Sequence, residues 1–217
     1  MELSKILEEH GIPAAMKAAC EAFSDVIGPP AKATGQLLAS PIHMMQAELF
    51  LRFVPRYKRL VKQAGISERQ VPFRIWFPIL QSASIEEDNS MQETWAALLA
   101  NAANPRSNVE VTPAFVEVLK QISPLEGKLL HFAYSELAPE CVWLSKLDEH
   151  FQMTPQQAWV SLENLNRLGV LGDNLPEVTN QNLDSARKTA YYEKTVFGQA
   201  FVDACSAPSS EANRGPE

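Results

Sequence analysis

The sequence predicts a mainly α-helical protein, a helical bundle followed by a winged helix-turn-helix-like module with a small β-hairpin. Three observations carry this reading. A hydroxyl residue followed by proline recurs at Ser40-Pro41, Thr112-Pro113, Ser123-Pro124 and Thr154-Pro155, the pattern of a capped helix start. Between such starts, apolar residues return every three or four positions, the period of a helix with one buried face. From residue 125 the order becomes helix, short helix, turn, helix, strand, strand, which is the order of a winged helix. The divisions drawn from this are 1–122 as a helical domain, 123–205 as the winged-helix-like domain and 206–217 as a polar, disordered tail.

Residues 3–27 read as one or two helices rich in alanine, stopped at Gly28-Pro29-Pro30. A long element follows Pro41. It is apolar around Leu49, Phe50, Leu51, Phe53 and Val54, then basic, and Gly65 suits its C-cap. Its apolar residues lie all round rather than in a stripe, which predicts burial over an interfacial membrane helix. Pro55 predicts a kink or break. In "VPFRIWFPILQSAS", Phe73, Trp76, Phe77 and Leu80 mark the buried face and Pro78 argues for a bend.

The next stretch, "SIEEDNSMQETWAALLANAANP", holds four acids between Glu86 and Glu93 and then turns apolar. Serine followed three residues later by glutamate occurs at Ser84-Glu87 and again at Ser90-Glu93, so either serine can open the helix. Acids also sit well against the positive end of a helix. Glu86, Glu87 and Asp88 are consecutive and would diverge on a helix, whereas a divalent cation needs converging oxygens. Helix initiation therefore explains the cluster. Convergence of Glu86, Glu87, Asp88, Glu93 and Glu117 in space is not shown by spacing.

Helices follow over "PAFVEVLKQI", with Phe115, Val118, Leu119 and Ile122 inward, and over "LEGKLLHFAYSEL", opened by a Ser123–Glu126 capping box. Leu125, Leu129, Phe132 and Ala133 align on the latter. A short helix with Leu144, Leu147 and Phe151 leads to a turn. Thr154 then caps a helix with Trp159, Leu162, Leu165 and Leu168 on one side, ended by Gly169. Val170-Leu171 begins one strand, Ala190–Glu193 supplies another, and a last helix starts near Val196.

Charge limits the functions open to such a chain. The net charge is -7, yet residues 48–74 hold seven bases against two acids. Arg52, Arg56, Lys58, Arg59 and Lys62 form a candidate contact patch for nucleic acid, anionic lipid or an acidic partner, or else the solvated face of one helix. Gln156 and Gln157 stand at the end of the would-be recognition helix that enters a groove, and are the candidate base-reading residues. Against this, residues 125–205 carry six bases and eleven acids, and nucleic-acid affinity rests largely on phosphate neutralisation. The balance predicts a protein-contact module, with a protein partner or a second copy, over nucleic acid or a membrane surface.

Chemistry has no foothold in the spacing. Phosphate-loop, nucleophile-elbow and zinc-protease patterns do not occur. His10, His43, His131 and His150 never pair at metal spacing, and His131, within an apolar helix, reads as a packing residue. Cys20, Cys141 and Cys205 are too sparse for a disulfide framework and predict reduced thiols in the cytoplasm. No apolar run reaches 18 residues. No cofactor, no metal and no enzymatic activity are expected.

"GPPAKATGQLLA", "YKRLVKQAG" and above all "VPFRIWFPILQSASIEEDNSMQETWAALLANAANP" resemble the bacterial abortive-infection alpha family. So do "TPAFVEVLKQISPLEGKLL", "LENLNRLGVL" and "VFGQAFVDAC", and together the resemblance spans roughly 27–205. The family was long described as a domain of unknown function. The resemblance implies phage resistance in which infected cells stop growing or die, and it carries no catalytic residues over. The chain departs from the family in its short N-terminal segment and its rather neutral second helix of the helix-turn-helix. The function expected is antiviral defence by abortive infection through protein–protein contacts, with a winged-helix nucleic-acid-binding regulator as the alternative.

Overall fold

Residues 44–135, 141–143, 150–174 and 191–208 are described by the structure, a computed structural model. The expected helices over 3–27, the start at Pro41, Leu144, Leu147 and the tail from 209 lie outside these residues. The chain divides into two units, residues 1–117 with 204–217, and residues 118–203. The described residues form seven helices and three short strands, so the protein is mainly helical.

In the first unit, α1 (Met44–Ala64) is followed by α2 (Phe73–Ala83), α3 (Asn89–Ala103) and α4 (Pro113–Leu119), the last of which runs across the division. α1 buries Phe53, Tyr57, Leu60 and Ala64. From Phe53 on, these positions form a single stripe at helical spacing, while the side chains of Leu49, Phe50 and Leu51, on which the reading of an element apolar all round rested, lie outside the described residues. Arg52, Pro55, Lys58, Arg59 and Lys62 occupy its other faces and are exposed, because hydrated charges stay out of the core. α1 runs unbroken through Pro55, and α2 through Pro78. Each proline forfeits one backbone bond, a loss of about 3 kcal/mol. Burial on both sides, at Phe53 and Tyr57 or at Trp76 and Ile79, offsets it. Gly65, at φ +63°, ends α1 as expected, and Ile66 N–H donates back to Val61 O at 3.0 Å.

α2 turns inward a face that includes Trp76 and Leu80, as expected, but is centred away from Phe73 and Phe77. Ile75, Trp76, Ile79, Leu80 and Ala83 are buried, whereas Phe73 is 53% exposed and stacks on Phe77. α3 is the centre of the unit. Met91 and every residue from Trp95 to Ala103 are buried. Five of these are alanines, which let neighbouring helices approach closely.

α3 does not begin at Ser84 or Ser90. Its N-cap is Asp88, whose carboxylate accepts from Ser90 N–H at 2.8 Å and Met91 N–H at 3.0 Å. Ser84 instead closes α2, with its N–H on Leu80 O and its hydroxyl on Gln81 O. The capping oxygen must sit one residue before the first helical turn, and only Asp88 combines that place with a short acceptor side chain.

The second unit contains α5 (Pro124–Ala133), β1 (Cys141–Trp143), α6 (Pro155–Arg167), β2 (Leu171–Asn174), β3 (Tyr191–Lys194) and most of α7 (Val196–Cys205). The sequence reading holds closely here. Ser123 and Glu126 form the expected capping box, and Thr154 caps α6 with Pro155 in the first turn. Gly169, at φ +73°, ends α6. β2 and β3 pair antiparallel as expected, with Leu171 opposite Lys194. β1 was not anticipated. It pairs antiparallel with β3, Val142 opposite Tyr192, and gives a sheet of order β1-β3-β2. His131 is exposed in the last turn of α5 rather than packed, because Leu129, Leu130 and Ala133 take the buried side.

Candidate functional site

The five bases of the contact patch lie on two faces of α1. Helical spacing sends Arg52, Arg56 and Arg59 along one side of the buried stripe and Lys58 and Lys62 along the opposite face. The arginine side meets α3. Arg56 donates to Gln92 Oε1 at 3.2 Å and to Asn89 Oδ1 at 2.7 Å. Its Nε stands 3.0 Å from Glu93 Oε1, as an ion pair rather than a directed hydrogen bond. Arg59 donates to Glu93 Oε2 at 2.5 Å. Arg56 also donates to the carbonyl of Arg52, whose own side chain is exposed. Lys58 and Lys62 are exposed and have no ion-pair partner among the described residues.

Glu93 is thus the residue that the sequence reading assigned to a helix start and the structure places against two arginines. The remaining acids of the cluster are used locally. Asp88 caps α3, the Glu86 carboxylate accepts from Asp88 N–H at 2.9 Å, and Glu87 is exposed. Gln92, 1% exposed, donates to Glu86 O at 2.8 Å. Among the described residues, no group of three or more His, Cys, Asp or Glu side chains converges as a metal site would. A partial signal was present in the sequence: Asn89, Gln92 and Glu93 lie three and four apart on one side of their helix, as Arg52, Arg56 and Arg59 do on theirs, but nothing local shows that the two sides meet.

On α6, Gln156 is exposed and Gln157 completes the capping box. The Gln157 amide oxygen accepts from Thr154 N–H and from the Thr154 hydroxyl, each at 3.0 Å. A paired contact to a base edge through both the oxygen and the nitrogen of this amide would compete with that cap. Arg167, the one base on the helix, donates to Gln121 Oε1 at 3.1 Å and Asn164 Oδ1 at 2.7 Å. Asn164 in turn donates to Gln121 O and to Glu126 Oε1, at 3.1 and 3.0 Å, so the polar side of α6 is tied down within its own unit.

The first unit also contains a cleft of about 260 Å³ beside the start of α2. Arg69, Arg74, Glu110 and Thr112 supply its polar lining, and Val71 and Ile75, both buried, its apolar floor. Arg69 and Arg74 belong to the basic stretch counted in the sequence but not to the patch drawn from it, and nothing in their spacing marks them. Glu110 and Thr112 reach the cleft only through the loop before α4.

No helix among the described residues is long and apolar enough to cross a membrane. No curated protein and no solved structure matches the chain. The model of the abortive infection alpha family matches residues 47–205, most of the chain and all of the elements described above except the first turn of α1. By that match, the protein belongs to the abortive infection alpha family.

Proposed function

We propose that this protein acts in defence against bacteriophage by abortive infection, through protein–protein contacts and without a reaction of its own. The observation that carries the biological role is the family match over 47–205. The mode of action draws support from how the bases are used. Arg56 and Arg59 are held by Glu93, and Arg167 by Gln121 and Asn164, so these bases are already engaged where a phosphate backbone would need them. A protein partner, or a second copy of the chain, asks for shape and apolar area instead. The reading places the protein in the cytoplasm, where Cys205 remains a thiol.

The test is a phage challenge of cells carrying the gene, at low and high phage-to-cell ratio. Survival at low ratio with collapse of the culture at high ratio is the expected result. Unchanged plating across a broad phage panel at both ratios would sink the defence role.

A second reading has one observation in its favour. The order α5, β1, α6, β2, β3 with sheet order β1-β3-β2 supports a winged-helix reading, in which α6 would be the recognition helix. On this reading the protein is a nucleic-acid-binding regulator. Failure to retard any DNA or RNA at low salt removes it.

A further inference from the structure

We infer that the cleft beside the start of α2 binds a small phosphomonoester, of the size of a sugar phosphate or nucleoside monophosphate. The inference goes beyond the contact reading and uses residues that reading leaves idle. Arg69 is fixed in place by α3. Its backbone N–H donates to Ala103 O at 2.8 Å and its Nε to Ala102 O at 3.1 Å. These bonds set the guanidinium at the cleft wall and consume one of its five donors, leaving the terminal nitrogens for a ligand. Arg74 lines the same cleft and has no hydrogen-bond or ion-pair partner among the described residues. Two guanidinium groups around one cavity repel each other until an anion stands between them, and a planar guanidinium matches phosphate oxygens in pairs.

Glu110 lines the cleft as well, yet neither arginine forms an ion pair with it among the described residues. The cavity therefore presents unneutralised charge of both signs. That suits a ligand with acceptor oxygens at one end and hydroxyl donors at the other, with the Thr112 hydroxyl able to serve either. Further positive potential comes from α2, whose N-cap Pro72 offers no side-chain acceptor and whose first turn holds no acid. Val71 and Ile75 give the ligand an apolar face to rest on. At about 260 Å³ the cleft exceeds what a bare phosphate fills and lies at the small end of ligand pockets, which begin near ~300 Å³. A phosphomonoester fits that space.

Calorimetric titration of the full chain with adenosine monophosphate, ribose 5-phosphate, adenosine and acetate tests this. Saturable binding of both phosphomonoesters, at or below about 1 mM, with adenosine and acetate silent, is expected. Arg74→Gln, at an exposed position that no other described residue bonds, should leave the circular dichroism unchanged and weaken both esters about tenfold. Silence of both esters overturns the inference. So does adenosine binding as well as its monophosphate, acetate binding as well as the esters, or undiminished binding by a folded Arg74→Gln.

Discussion

The side-chain amide of Asn101 donates to the carbonyl oxygens of Ala204, at 2.9 Å, and Ser206, at 2.8 Å, across more than a hundred residues of chain. Asn101 is 5% exposed and sits near the end of α3, and both acceptors lie at the C-terminal end of α7, where carbonyls lack intrahelical partners. All three residues belong to the first unit, and the amide ties the end of α7 to α3 within it. Asn101→Ala leaves those carbonyls without the donor and should cost about 1–3 kcal/mol. The urea midpoint should fall with little change in slope. Asn101→Asp sets an acceptor against two acceptors and should cost more than alanine at neutral pH. An alanine variant with the wild-type midpoint would show that the clamp contributes nothing.

Tyr134 and Gly198 hold the second unit in a comparable way. The Tyr134 hydroxyl donates to Val170 O at 2.6 Å and accepts from Thr195 N–H at 3.0 Å. Gly198 lies where a Cβ would stand 2.0 Å from Val170 O and 2.1 Å from the Tyr134 hydroxyl. Gly198→Ala must therefore displace backbone as well as side chain, and we expect loss of the folded second unit, seen as loss of its cooperative transition. Tyr134→Phe keeps the ring and removes only the hydroxyl, with an expected cost of about 1–3 kcal/mol. A Gly198→Ala protein as stable as Tyr134→Phe would contradict this packing.

Burial pushes the Cys205 thiol well above its ordinary range, although the residue as a whole keeps some exposed surface. The sulfur is the desolvated part, so alkylation by iodoacetamide should be slow until the protein unfolds. The sign of the pH dependence follows. The unfolded thiol ionises near about pH 8.5 while the folded one stays protonated. Stability is fully present below that value and declines as pH rises above it, toward the folded pKa. Urea midpoints measured from pH 7 to 10 should fall more steeply for the wild type than for Cys205→Ala. Parallel curves would show that the thiol is not the group responsible.

Helix ends were the most legible part of this sequence, because their chemistry is local. Ser123 with Glu126, Thr154 with Pro155, Gly65 and Gly169 each announce a terminus within four residues. Asp88 escaped because a serine stands on each side of the cluster in an equally good pattern, and only the backbone shows where the first turn begins. β1 escaped because three residues carry no period, and its pairing with β3 spans some fifty positions. The pairing of the arginine face was hidden for a related reason. Composition counts bases, whereas their availability depends on Glu93 and Asn89 arriving from another helix. The cleft is the extreme case, since its polar lining comes from the loop before α2, the first turn of α2 and the loop before α4, whose approach no local pattern encodes.

Glu93 offers the most direct way to separate the two functional readings. Its carboxylate meets Arg56 and Arg59, with side-chain exposures of 39% for Glu93, 19% for Arg56 and 51% for Arg59. Pairs this open contribute little, so Glu93→Gln should cost less than about 1 kcal/mol, and a double-mutant cycle with Arg59→Ala should give a coupling of the same order. The substitution nevertheless removes the negative charge held against two guanidinium groups beside Arg52, leaving Arg59 without its ion pair and Arg56 with only its neutral partners Gln92, Asn89 and the Arg52 carbonyl. With the acid in place, the wild type should not retard duplex DNA at low salt. Glu93→Gln should gain weak retardation that salt abolishes, since each arginine that then meets a phosphate adds roughly one contact to the salt slope. Retardation by the wild type that persists toward physiological salt, and that is lost in Gln156→Ala but not in Arg56→Ala, would transfer the weight to α6 and to the regulator reading.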